Sequence, residues 1–456
     1  MIGTMSLTAL ADKLEGQVIG SDAEFGRLST DTRAIQKGDA YLALVGERFD
    51  GNEFVDEAVA KGASAAIVSR DMEHDKIALL KVADTHAALG AIAHENRLRS
   101  QATTIALTGS QGKTTVKEML ASILKHTGKT LSTDANLNNT IGVPLTLLRL
   151  EQDHEFAVVE MGANGKGEIA FSVGVASPNI VLITNASAAH IEGFGSLQGI
   201  VEAKGEILDG LQAGGTALLN ADDPNVEQWM RRATEKRIVQ FSVSTVGPQI
   251  AYRANDIQIG QRGQVSFTLE SPDGNADIAL QLLGAHNVKN AVAAAATVME
   301  AGASLDDVKA GLSELAPVKG RMCILPGLNG CCLIDDTYNA SPGSFMAAID
   351  VLNSFNERKF LIAGDMKELG EESVPAHESV GHYAANSGID ELWGVGEFTR
   401  YTVAAYGDRG RYFENQEELI AACKAQASND IAFLVKGSRG AQMDLVVKAM
   451  QYAGEQ

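Results

Sequence analysis

Short apolar runs recur along the whole chain, and most are followed by a longer stretch with helical spacing. Near the start, runs at residues 40–45 and 64–68 flank a helix-like segment at 54–61, a pattern that predicts a small α/β domain. The next block repeats the pattern, with runs at residues 104–107, 156–159, 180–183 and 216–219. Strands that lack polar alternation and are spaced by helices predict a parallel sheet covered on both faces. These runs end in polar residues: Glu160, then Thr184 and Asn185, then Asn220, Asp222 and Asp223. Ligands of such sheets bind beyond the carboxyl ends of the strands, so these residues are expected to line one crevice.

The period changes to two between residues 250 and 283, where residues 264–269 and 277–282 alternate on either side of Pro272, Asp273 and Gly274. That predicts a small antiparallel insertion. An alanine-rich helix is expected over residues 290–301, a linker at 317–320, and a third α/β block with strands at 331–334, 360–363, 392–395 and 432–435. The expected fold class is therefore α/β in three domains. A central parallel-sheet domain, residues 101–316, is flanked by a small N-terminal α/β domain, residues 1–100, and a C-terminal Rossmann-like α/β domain, residues 317–456.

Length agrees, since 456 residues suit about three domains. A net charge of −20 leaves no broad positive field of the kind that binds nucleic acid or an anionic membrane. The N-terminus has no basic segment followed by an apolar one, and no uninterrupted apolar stretch approaches the roughly 18 residues of a membrane span. A soluble, cytoplasmic, monomeric protein is expected. Cys323, Cys331, Cys332 and Cys423 show no metal-binding spacing, so buried thiols are expected, with Cys331 and Cys332 on opposite faces of a strand.

Candidate chemistry begins after the run at 104–107, with Thr108, Gly109, Ser110, Gln111, Gly112, Lys113, Thr114 and Thr115, followed by a helix-like segment at 116–124. That order of strand, glycine-rich turn and helix reads as a phosphate-binding loop. Its N–H groups cradle a polyphosphate, the lysine reaches the β- and γ-phosphates, and the next hydroxyl sits on Mg²⁺. The expected ligand is Mg-ATP or Mg-GTP, met by local cations in so acidic a chain. A full loop of this kind has a glycine six residues before the lysine. Leu107 stands there instead and Gly109 follows two residues later, so the loop is a shorter variant. An ordinary glycine-rich turn with a surface lysine is the competing reading. Glu160, His190 and Lys204 are the metal-competent candidates, of which Glu160 suits Mg²⁺ best beside the Thr114 hydroxyl. Taken singly, His190 reads as a structural or surface histidine and Lys204 as a solvated helix lysine.

Several segments together resemble the ATP-dependent Mur ligases. They are residues 108–115, Leu137-Asn138-Asn139-Thr140-Ile141-Gly142-Val143-Pro144, Glu160-Met161-Gly162-Ala163, Ala189-His190-Ile191-Glu192-Gly193-Phe194-Gly195 and Ala203-Lys204-Gly205-Glu206-Ile207. Further along, Gly284-Ala285-His286-Asn287-Val288-Lys289-Asn290-Ala291, Gly320-Arg321 and Asp335-Asp336-Thr337-Tyr338-Asn339-Ala340 extend the resemblance over nearly the entire chain. Within the family, residues 44–51, 364–370 and 435–439 most resemble the member that adds D-alanyl-D-alanine to UDP-N-acetylmuramoyl tripeptide. The Asp-Asn-Pro-Arg motif of the diamino-acid-adding relative is absent.

The resemblance implies an ADP-forming ligase of peptidoglycan precursor synthesis that works through an acyl phosphate. It implies ATP and two Mg²⁺ ions, with Thr114 and Glu160 on the first ion and His190 and Lys204 on the second, Lys204 as a carbamate. Lys113, His190 and Lys204 are the catalytic residues it implies. Gly109 to Thr115, His286, Asn287, Asn290, Arg321 and Asp336 would hold the nucleotide. Ser29, Thr30, Asp31, Arg33 and Arg48 would hold the UDP-sugar peptide in the first domain, and Asn138, Asn139, Asn339, Lys436 and Arg439 would contact substrate elsewhere. His377 and Lys436 are expected either to face the incoming dipeptide or phosphate or to lie on the solvated surface. Since third-domain residues complete a site begun in the second, hinge closure near Pro317 is expected. A folylpolyglutamate synthase-like ligase is the nearest alternative, opposed by the presence of the first domain, and a non-enzymatic nucleotide switch is another.

Overall fold

A computed structural model of the chain describes residues 1–46, 49–187 and 191–452. Its largest sheet has nine strands, in the order Thr130–Ser132, Phe156–Glu160, Thr103–Thr108, Ile180–Ile183, Thr216–Asn220, Arg237–Ser242, Ile250–Ile259, Gln264–Ser271 and Gly274–Leu283. The strands are parallel up to Ile250–Ile259, and the last two are antiparallel. Both faces of the parallel part are buried, which is why its strands read as unbroken apolar runs. Ile105 and Leu107 pack on one face with Val116, Leu120, Val158 and Leu182. Ala106 packs on the other with Val159, Val181 and Ile183. Helices Lys113–Leu124, His286–Glu300 and Leu305–Glu314 cover the first face, and Thr85–Arg99, Gly142–Leu147 and Glu168–Ala176 the second.

The alternating segment is antiparallel as expected, and its first strand also joins the central sheet: Ile250–Ile259 pairs parallel to Arg237–Ser242, so the ribbon prolongs that sheet. Alternation reports one solvated face and says nothing about the neighbour along the hydrogen-bonding edge.

A five-stranded sheet, in the order Gln17–Ile19, Ala78–Lys81, Ala65–Val68, Ala40–Leu42 and Leu28–Ser29, builds the first block. Its core is continuous with that of the central sheet: Leu7, Ile67 and Leu80 belong to one apolar cluster with Leu89, Ile92, Leu147 and Val159. The third block is a six-stranded sheet in the order Cys323–Pro326, Cys332–Asp336, Ile431–Lys436, Arg358–Gly364, Glu391–Val395 and Gly410–Phe413, parallel except at its first strand. It has cores of its own on both faces, into which the central sheet contributes Leu283. Cys331 and Cys332 turn to opposite faces of this sheet, and the four cysteines are unpaired. No helix among the described residues is long and apolar enough to cross a membrane.

Register sets the site. Leu107 lies opposite both Glu160 and Leu182, so Gly109, Glu160 and Thr184 emerge together at one edge of the central sheet. The helix after Gly109 is held by close packing, since a Cβ at Gly311 would lie 2.4 Å from the Ile123 Cα. Gly311→Ala should therefore destabilise the protein by about 1–3 kcal/mol, overpacking outweighing the helix propensity gained. Urea denaturation measures this, and unchanged or raised stability would show that the helices separate freely.

Candidate functional site

The loop joining Thr103–Thr108 to helix Lys113–Leu124 forms the floor of a cleft of about 900 Å³. Gly112 has φ +79°, and a Cβ there would lie 2.5 Å from Asn290 Oδ1. The first-turn amides of the helix have no intrahelical acceptor and carry the positive end of its dipole, so the floor of the cleft is a cradle for an anion. Lys113 is folded back onto this loop, its Nζ donating to Gly109 O at 2.7 Å and Ser110 O at 3.4 Å.

Beside the loop, Thr114 Oγ1 donates to Glu160 Oε1 at 3.3 Å, and Asn138 Nδ2 donates to the same oxygen at 2.8 Å. Glu160 is 1% exposed, and its Oε2 is buried without a hydrogen-bond partner among the described residues. A buried carboxylate oxygen left without a partner is costly, and a hard cation held by carboxylate and hydroxyl removes that cost. The donor set therefore fits Mg²⁺. Arg321 from the third block donates from Nη2 to Thr114 Oγ1 at 2.9 Å, and its guanidinium stacks 4.2 Å from the Tyr338 ring centroid. Lys204, 4% exposed, lies 5.4 Å from the Phe194 ring centroid. Its ammonium has no hydrogen-bond or ion-pair partner among the described residues. Burial, aided by the charge of Lys113, pulls its pKa down to about 7.

The third block forms the opposite wall. Parallel pairing sets Asp336 beside Lys436, whose Nζ donates to Asp336 Oδ2 at 2.6 Å and to Asn339 O at 3.0 Å. Gln111 Nε2 crosses from the loop to Ser341 Oγ at 3.3 Å.

Of the residues expected from sequence, Gly109 to Thr115, Asn138, Asn139, Glu160, Lys204, His286, Asn287, Asn290, Arg321, Asp336, Asn339, Lys436 and Arg439 all line this cleft. Several are occupied differently from the expectation. Lys436 is buried, and its Nζ is held by Asp336. Asn139 Oδ1 caps the next helix through the N–H groups of Ile141 and Gly142. Asn290 donates to Asn287 Oδ1 and Asn287 to Leu283 O, and Asn290 abuts Gly112, so this pair backs the loop. His377 does not face the cleft: it is buried, accepting from Met366 N through Nε2 at 3.0 Å with Nδ1 against Ser373 O. Ser29, Thr30, Asp31 and Arg33 lie outside the cleft lining, the carboxylate of Asp31 held by Arg33 and well below the usual carboxylate range at about 2. His190 and Arg48 lie outside the described residues. Tyr338, absent from the expected set, carries Arg321; its aromatic ring within residues 335–340 was the available signal.

A phosphate loop at the edge of a parallel sheet, a cation-ready carboxylate beside it and a separate α/β block closing over both define a nucleotide-binding protein of three α/β blocks. The model of the Mur ligase middle domain matches residues 107–298, that of the Mur ligase glutamate ligase domain residues 320–439, and that of the Mur ligase family catalytic domain residues 24–97. The chain belongs to the Mur ligase family. It is 43% identical over 453 residues, 99% of each chain, to the UDP-N-acetylmuramoyl-tripeptide--D-alanyl-D-alanine ligase of Escherichia coli. Among solved structures it superposes on MurF from Acinetobacter baumannii with a TM-score of 0.90 at 36% identity, covering 98% of each chain. It superposes on MurF ligase from Thermotoga maritima in complex with ADP with a TM-score of 0.82 at 27% identity, covering 93% of this chain and 96% of that one.

Gly112→Ala tests the cradle, because its Cβ meets Asn290 and its backbone loses the left-handed conformation it needs. Calorimetry with Mg-ADP should show affinity reduced at least ~10-fold, about 1.4 kcal/mol. Unchanged affinity would remove the loop from nucleotide binding.

Proposed function

We propose that this chain is an ATP-dependent, ADP-forming ligase that joins D-alanyl-D-alanine to UDP-N-acetylmuramoyl tripeptide, a cytoplasmic monomer in peptidoglycan precursor synthesis. The observation that carries the reading is the meeting in one cleft of the phosphate loop, the half-partnered Glu160 carboxylate and Arg321 from the third block. Similarity over 99% of each chain to a relative named for dipeptide addition supports the choice of substrates.

In this reaction an oxygen of the tripeptide's terminal carboxylate attacks the γ-phosphorus of ATP, and ADP leaves. The amine of the dipeptide then attacks the acyl carbon and loses a proton as inorganic phosphate departs. The first step brings two anions together, so the chain must offset their repulsion and keep water out. Lys113 exchanges Gly109 O and Ser110 O for the β- and γ-phosphate oxygens, and the first-turn amides of its helix hold the same group. Thr114 and Glu160 would hold one Mg²⁺, and His190 with a carbamoylated Lys204 a second, whose charge when bound offsets that of the phosphate oxygens. Arg321 moves from Thr114 onto phosphate, and His286 at the cleft rim meets the base, with Asn287 and Asn290 fixing the loop from behind. Asp336 exchanges Lys436 for the ribose. Asn138, Asn139, Asn339 and Lys436 meet the reacting end of the peptide, and the exposed Arg439 guanidinium suits the dipeptide carboxylate. Ser29, Thr30, Asp31, Arg33 and Arg48 hold the UDP-sugar portion in the first block.

Product mass tests the substrates. With UDP-muramoyl tripeptide and ATP, the protein should form the pentapeptide from D-Ala-D-Ala and little product from free D-Ala, L-Lys, diaminopimelate or glutamate, which lack the second residue's positioning contacts. Phosphate release that depends on neither carboxylate nor amine would favour a nucleotide switch. Extension of a UDP-muramoyl dipeptide by a free diamino acid would assign the preceding step.

Lys204 carries a separate test. Only a neutral amine adds to carbon dioxide, and a pKa near 7 makes that form abundant near neutral pH, increasingly so as pH rises through this value. Lys204→Ala should be nearly inactive and partly rescued by formate or acetate, which restore a carboxylate-like oxygen pair. Undiminished turnover in Lys204→Ala would overturn the carbamate.

A further inference from the structure

Within the phosphate loop the Lys113 ammonium holds the Gly109 and Ser110 carbonyls. Among the described residues, residues 109–112 make no backbone hydrogen bond to one another. Most of their other hydrogen bonds run to the turn after strand Ile180–Ile183. Thr184 Oγ1 donates to Gln111 O at 2.9 Å, and Asn185 Nδ2 donates to the same carbonyl at 3.0 Å. Gln111 N donates back to Asn185 Oδ1 at 3.0 Å, and Ser110 N to Asn185 O at 3.0 Å. The Ser110 hydroxyl exchanges hydrogen bonds with the Ser187 backbone, donating at 3.0 Å and accepting at 2.9 Å. The turn is itself braced, by Asn220 Nδ2 on Thr184 O at 3.0 Å and by Asp223 Oδ2 under Ala186 N at 2.8 Å.

The planarity of the peptide gives this clamp a consequence at the ligand. In a trans peptide the carbonyl of one residue and the N–H of the next point in opposite directions. Two donors hold the Gln111 carbonyl at the Thr184–Asn185 turn, so the N–H of Gly112, which lines the cleft, points away from that turn. Leu107 occupies the position where a longer loop has its first glycine, so a neighbouring strand supplies the closure.

We propose that Asn185 and Thr184 are positioning residues for nucleotide binding, acting through the Gln111–Gly112 peptide. The inference rests on the nucleotide-dependent reading above. The full chain is tested by calorimetry with Mg-ADP and inorganic tripolyphosphate, and by steady-state kinetics. Asn185→Ala should raise the Kd for Mg-ADP and the KM for ATP roughly 10-fold, with kcat changed far less. Affinity for the UDP-linked tripeptide and the melting temperature should stay near wild type, which a general structural defect would not allow. Thr184→Ser keeps the hydroxyl and should bind nucleotide like wild type. Thr184→Val keeps the shape alone and should bind several-fold more weakly, a comparison that tests the clamp even should Asn185→Ala not fold. Equal nucleotide affinity in Thr184→Val and Thr184→Ser, or wild-type affinity in Asn185→Ala, would overturn the clamp. Failure of the wild-type protein to bind either ligand would instead overturn the nucleotide-dependent reading.

Discussion

The arrangement of the cleft follows from one buried carboxylate. Glu160 sits at a strand end with one oxygen held by Asn138 and Thr114 and the other without a partner, in a chain whose net charge is −20. Such a group is tolerable where positive charge is concentrated around it, and Lys113, Lys204 and Arg321 all border the same cleft. Burial first, and then the charge of Lys113, lowers the pKa of Lys204. A site with this balance is poised for ligands that bring both signs of charge at once: a polyphosphate for the lysines and arginine, and a cation for the carboxylate.

Much of this was legible in sequence where the chemistry is local. The phosphate loop is a contiguous motif whose context of strand and helix is written in the same stretch, and Glu160 was marked by ending an apolar run. Contacts made through register were not legible. Lys436 meets Asp336 because their strands are parallel neighbours in the third sheet, and Arg321 reaches Thr114 only when the third block lies over the second. His377 shows the same limit, since its buried role behind Met366 depends on a helix packing that sequence motifs do not encode. The antiparallel strands were recognisable by period, whereas their attachment to the central sheet is a matter of pairing along an edge.

Core continuity decides which parts of the molecule move together. The first block and the central sheet share one apolar cluster through helix Thr85–Arg99, so displacing one from the other would expose core. The third block has its own cores and meets the centre through Leu283, the Arg262 guanidinium over the Phe355 ring, and polar contacts of Arg321 to Thr114, Gln111 to Ser341 and Arg262 to Glu357. Polar contacts of that kind separate at little cost in water. The first block and the centre thus form one packed pair, and the third block is the part less firmly held.

That asymmetry explains the division of labour at the cleft. The rigid pair holds the groups whose geometry must be fixed before any ligand arrives: the loop, its clamp from the neighbouring strand, Glu160 and Lys204. The third block carries a guanidinium on an aromatic platform, which touches the Thr114 hydroxyl. A cation that arrives with closure favours the closed state only when negative charge is present to meet it. A closure of the third block, as the proposed reaction requires, would then depend on the polyphosphate being in place, and the same electrostatic balance that holds Glu160 buried would serve to exclude water.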